Sequence, residues 1–181
     1  MGWDEDQDGK DIYTETSNIT YFPKIFTISP GENRKIKIAF TARWPETENS
    51  YRFFFREIPG IEPGVRGVQF ALRMSIPVFI QPTQKPVDPA IELGYLKFSG
   101  ANLLVNIKNN GTSYFMVDKV RLRGLNGFGT ETFSKEINGW YVLANHSRSF
   151  PAALKYRECA KTTTINVTAV AEIKARRDIL T

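Results

Sequence analysis

The chain has 181 residues, 41% hydrophobic, 24% charged and 13% aromatic, a balance that excludes global disorder and allows a buried core. Lys and Arg number 24 against 19 Asp and Glu, a net charge of +5, yet no five basic residues run together, which argues against a nucleic-acid-binding stripe. One Cys, Cys159, and one His, His146, leave no internal disulfide, no thiol–imidazole pair and no zinc cluster to build.

The chain opens Met1-Gly2-Trp3-Asp4, which does not read as a signal peptide. Asp4, Asp6, Asp8, Gly9 and Glu15 fit the spacing of a calcium loop. Asp11 falls where that loop has an apolar residue, and no entering helix precedes Asp4. The segment is therefore expected to be an acidic, solvated hairpin loop without metal. Asn18, Asn110, Asn145 and Asn166 each begin a glycosylation sequon, and Asn, Ser and Thr are common enough in β proteins for all four to be chance.

Short alternating runs separated by turn residues recur along the chain, and helical periodicity is nearly absent. Ile36, Ile38 and Phe40 share one face of a predicted strand, opposite Lys35 and Lys37. Tyr51, Phe53 and Phe55 form the inward face of the next, which Ile58-Pro59-Gly60 ends. Glu46 and Glu48 lie in a Pro-containing loop and are expected to be solvated. From Val68 to Ile80 every even position is apolar: Val68, Phe70, Leu72, Met74, Ile76, Val78 and Ile80. Strict period two predicts one strand about 40 Å long. Pro77 has no N–H for a ladder, so the strand must lie at a sheet edge or bulge.

Gln81 to Pro89 is polar and Pro-rich, which places a linker at 83–89 between domains 1–82 and 90–181. Further strands are predicted at Leu103–Ile107, Tyr114–Arg123, Trp140–Leu143, Phe150–Leu154 and Thr162–Ile173, with Asn110-Gly111 as a turn. The fold class is all-β: two immunoglobulin-like β-sandwich domains, the first incomplete, with about four strands. No apolar stretch reaches the roughly 18 residues of a membrane helix. No phosphate loop, nucleophile elbow or paired carboxylate appears, so neither an enzyme nor a cofactor is expected.

Several ordered phrases resemble the periplasmic pilus (fimbrial) assembly chaperone family, PapD-like, in a divergent branch. Pro23, Phe26, Ile28, Pro30 and Gly31 match one phrase. Pro45 through Phe53 with Ile58-Pro59 matches a second, and Pro77-Val78-Phe79-Ile80-Gln81-Pro82 a third. The resemblance implies pilin subunits as clients, an outer-membrane usher as partner and the periplasm as location. It implies no membrane insertion. It also implies donor-strand complementation, in which an incomplete pilin sandwich borrows a chaperone strand. Val68, Phe70, Leu72 and Met74 are then the client-binding residues. The family's first two strands have no counterpart before Trp3, so the chain reads as N-terminally truncated. Of two basic residues with which the family anchors the pilin carboxylate, one lies on those strands and the other, a Lys, aligns with Pro77. Arg73 is the candidate replacement. Gln81 stands where the family has an interdomain Arg. The alternative reading is an immunoglobulin-like adhesin or pilus subunit, which an alternating apolar terminal segment would favour; neither terminus has one.

Overall fold

The computed structural model describes residues 1–60, 68, 70–83 and 90–172. Gln69, the stretch Pro63 to Gly67, the expected linker beyond Thr83, and Ile173 lie outside the described residues. Among the described residues the protein is nearly all β, with one helical turn, α1 (Tyr156–Cys159).

In the N-terminal part, β1 (Gly2–Glu5) and β2 (Asp11–Thr14) form an antiparallel hairpin. β3 (Ile19–Phe22) and β4 (Lys37–Phe40) form a separate ribbon. β5 (Asn49–Arg56) and β6 (Arg73–Ile80) complete a sheet in the order β2-β1-β5-β6. Alternation divides β5 between two environments. Tyr51 and Phe53 are buried on one face with Ile19, and Phe40, Phe55, Val78 and Ile80 pack around them. Arg52 goes to the other face. Pro77 sits on β6, an edge strand, as its missing N–H requires.

Two expectations are corrected. Ile38 is 46% exposed rather than inward, because β4 pairs only with β3 among the described residues and nothing further shelters that end of the ribbon. The long strand is shorter than its pattern: β6 begins at Arg73, not Val68. Its partner explains the limit. Arg56 pairs with Arg73, and one more bond follows, from the Glu57 N–H to Leu72 O at 2.8 Å. Ile58-Pro59-Gly60 then leaves β5 with no ladder to offer. Alternation marks which face a residue would take, but a strand also needs a neighbour.

In the C-terminal part, β7 (Ile91–Ser99), β8 (Asn102–Asn109) and β12 (Ser147–Ala153) form one sheet, ordered β12-β8-β7. β9 (Phe115–Leu125) is the centre of the second. β10 (Glu131–Asn138) and β11 (Tyr141–Val142) pair along one edge of β9, and β13 (Thr164–Glu172) along the other. Leu103, Val105 and Ile107 of β8 face Phe115, Val117, Val120 and Leu122 of β9 across a dry core that Phe150 and Val142 help fill. Asn109 closes one end of this core. Its buried Nδ2 donates to the carbonyls of Ser113, Val142 and Leu143 at 2.7, 3.2 and 3.0 Å, and its Oδ1 accepts the Gly111 N–H.

Candidate functional site

The predicted client-binding residues occupy the start of β6 and the stretch before it. Val68 and Phe70 are 82% and 83% exposed, and Leu72 and Met74 are 58% and 51% exposed. Met74 and Ile76 lie directly across from Phe55 and Phe53, so they continue the face of the N-terminal core, yet both remain half in water. Burial on this strand begins only at Val78 and Ile80, which pack with Ile19 and Phe40 of the ribbon. Leu72 is held by both its backbone groups to Glu57, the residue after β5, its N–H donating to Glu57 Oε2 at 2.9 Å. Arg73 turns to the opposite face, with its guanidinium 4.8 Å over the Phe54 ring.

The second feature is a seam between the N-terminal and C-terminal parts, which sequence reasoning missed. It is built on the face of the sheet opposite Tyr51 and Phe53. Phe79 of β6 stacks on Tyr114, ring centroids 3.7 Å apart, and Trp3 meets Tyr141 edge-on at 5.2 Å. Arg52 lies among these rings, 4.2 Å over Trp3 and 5.0 Å over Trp140, and is only 6% exposed. Its Nη1 donates to Ser75 Oγ at 3.1 Å, while its Nε has no acceptor. No carboxylate pairs with it among the described residues. Arg52 stands directly across the ladder from Pro77.

The acidic hairpin is solvated only in part: Asp4 and Asp8 are exposed, while Glu5 and Asp11 turn into this seam. Arg148 on β12 donates to Glu5 Oε1 through Nε and Nη2 at 3.1 and 2.8 Å, and Nη2 also reaches Asp11 Oδ1. Asp11 Oδ2 accepts from Trp140 Nε1 at 3.1 Å. Burial pushes the Glu5 carboxyl above its usual range; the Arg148 hydrogen bond and charge pull it back only in part. Gly9 makes the approach possible. Its φ of 77° is left-handed, and a Cβ there would stand 2.4 Å from the Arg148 Cα. Asp6 Oδ1 is occupied within its own turn by the N–H groups of Asp8 and Lys10. Glu48, expected in solvent, is buried: its N–H donates to Thr112 O at 3.0 Å and its Oε1 accepts the Tyr114 N–H at 2.8 Å. The signal available beforehand was an acidic hairpin bearing Trp3, in a chain with a further Trp at 140.

The site thus comprises two features, an exposed apolar stretch leading into an edge strand and a seam rich in rings and charges. No curated protein matches the chain. The family described as pili and flagellar-assembly chaperone, PapD N-terminal domain, matches residues 2–86. Residues 2–86, a little under half of the chain, are thus similar to the N-terminal domain of PapD-like pilus and flagellar assembly chaperones.

Proposed function

We propose that this protein is a periplasmic chaperone that lends the apolar stretch Val68, Phe70, Leu72 and Met74 to an incomplete pilus subunit by donor-strand complementation, and so supports pilus assembly. The observation that carries the reading is the exposure of four alternating apolar residues running into an edge strand whose outer backbone groups are open among the described residues. Edge pairing supplies backbone hydrogen bonds, and alternate side chains fill client pockets. Non-enzymatic action, an outer-membrane usher as partner, and a division into domains 1–82 and 90–181 joined at 83–89 belong to the same reading. The two separate cores support the division.

The client's terminal carboxylate needs a cation. Arg52 fits better than Arg73: it lies at the seam, across from the position where the family's Lys aligns, and its charge is met by ring faces rather than by a carboxylate. Arg73 then flanks the client-facing stretch. The test is co-expression with a pilin encoded beside this chain. Leu72→Glu puts a carboxylate into an apolar groove, and co-purification of the pilin should be lost while the circular dichroism of the chaperone is kept. Gln69→Glu, a polar change in the same stretch, should retain the pilin. Equal retention by both variants would overturn the donor-strand reading.

A further inference from the structure

His146 lies in the turn between β11 and β12, and its backbone is fixed there. Its carbonyl accepts the Asn109 N–H at 2.8 Å and its N–H donates to Leu143 O at 3.2 Å, behind Asn145 at a φ of 58°. Its Nδ1 stands 2.7 Å from Ala144 O, and its Nε2 stands 2.7 Å from Asp4 Oδ1 on β1. A carbonyl and an ionised carboxylate both only accept hydrogen bonds. A neutral imidazole has one N–H, so it satisfies one of these partners and turns a lone pair on the other. Only the doubly protonated ring donates to both.

We propose that His146 and Asp4 form a proton-operated clasp across the seam, closed when the ring carries both protons and released when it gives up the one on Nε2, the remaining N–H staying on Ala144 O. The charged groups around it are already committed elsewhere. Glu5 on β1 and Asp11 on β2 hold Arg148 of β12, and Glu48 takes the Tyr114 N–H. Glu15 lines the same groove as Asp4 and His146, a space of about 540 Å³ between the two parts. The Phe79–Tyr114 stack joins the same two parts without a histidine or a carboxylate in it. This inference does not depend on the client-binding proposal.

The full chain is suited to a direct test because it has one histidine. The ring nitrogens of 15N-labelled protein report their own protons, and amide hydrogen exchange, corrected for its intrinsic pH dependence, reports the contact at 2–5 and 143–146. As the ring nitrogen signals show the proton leaving, protection of both segments should fall about two- to fivefold, the size expected of a largely exposed ion pair. Asp4→Asn separates the clasp from general pH effects. Its carboxamide offers an N–H to the bare ring nitrogen and an oxygen to the protonated one, so the contact should persist with no step. Equal steps in both proteins, no step in the unmodified chain, or a closed contact whose ring holds a single proton would each overturn the proposal.

Discussion

Arg148 on β12 places two guanidinium N–H groups on a single carboxylate oxygen of Glu5, a residue 143 positions earlier in the chain, at 3.1 and 2.8 Å. The Glu5 side chain has no exposure to water and that of Arg148 has little. Removing one member of such a pair strands the other. Arg148→Ala is expected to cost about 3 kcal/mol, read as a fall in the urea midpoint. Arg148→Lys recovers only part of it, because an ammonium lacks the fork that reaches both Glu5 and Asp11.

Glu5 also sets a pH dependence. Its carboxyl is raised by burial, so the folded state holds this proton more tightly than the unfolded chain does. The Glu5 contribution to stability is therefore present in acid and is lost as pH rises from the ordinary carboxylate range through the raised value. Glu5→Gln should flatten this part of the stability–pH curve while keeping an oxygen for Arg148. An unchanged slope in Glu5→Gln would assign the dependence to other groups.

Asn109 should be the costliest polar residue to lose in the C-terminal core. Asn109→Ala leaves three carbonyls and the Gly111 N–H without their buried partner. The expected loss is about 2–4 kcal/mol by chemical denaturation. Asn109→Asp should be worse, since a carboxylate oxygen would face those carbonyls.

Calcium should leave the thermal midpoint unchanged. The carboxylates with loop spacing are turned to other tasks: Asp4 to His146, and Asp6 to two backbone N–H groups. A ligand at 100 times its dissociation constant would add about 2.7 kcal/mol. A rise of several degrees in millimolar calcium, removed by Asp8→Ala, would contradict this.

Arg52→Met should separate client recognition from folding. An apolar chain of similar length can still pack against Trp3 and Trp140 at a cost near 1 kcal/mol, but it offers no charge. The variant is expected to fold and to lose the difference in affinity between a pilin with a free terminal carboxylate and one whose terminus is amidated. Retention of that difference would move the anchor to Arg73 or elsewhere.

Alternation in the sequence was enough to find β5, β8, β9, β12 and β13, and the later half of β6, because each has one face in a core, and β4, of which only Phe40 reaches one. It failed where the physics is not local. β7 was missed because a register shift between Leu93 and Leu96 breaks its alternation around Gly94. β6 was drawn too long because apolar period two persists beyond the last residue that β5 can pair. The seam was illegible for a different reason. Glu5, Arg52 and Arg148 are residue types that normally face water, and what buries them lies on the other part of the chain. The apolar alternation at Val68 to Met74 is legible in the sequence, and among the described residues Val68, Phe70, Leu72 and Met74 are exposed.

The distance along the chain between Glu5 and Arg148 also orders events during synthesis. Loop closure over more than a hundred residues is entropically costly and slow, and it cannot begin until both ends exist. While the chain is still emerging, Trp3, Glu5 and Arg52 have no Trp140, Tyr141 or Arg148 to meet. The N-terminal part must hold that face open until most of the C-terminal part has emerged. The seam is therefore a late contact, and a stalled or shortened chain would expose rings and an orphaned carboxylate together, a surface that marks it as unfinished.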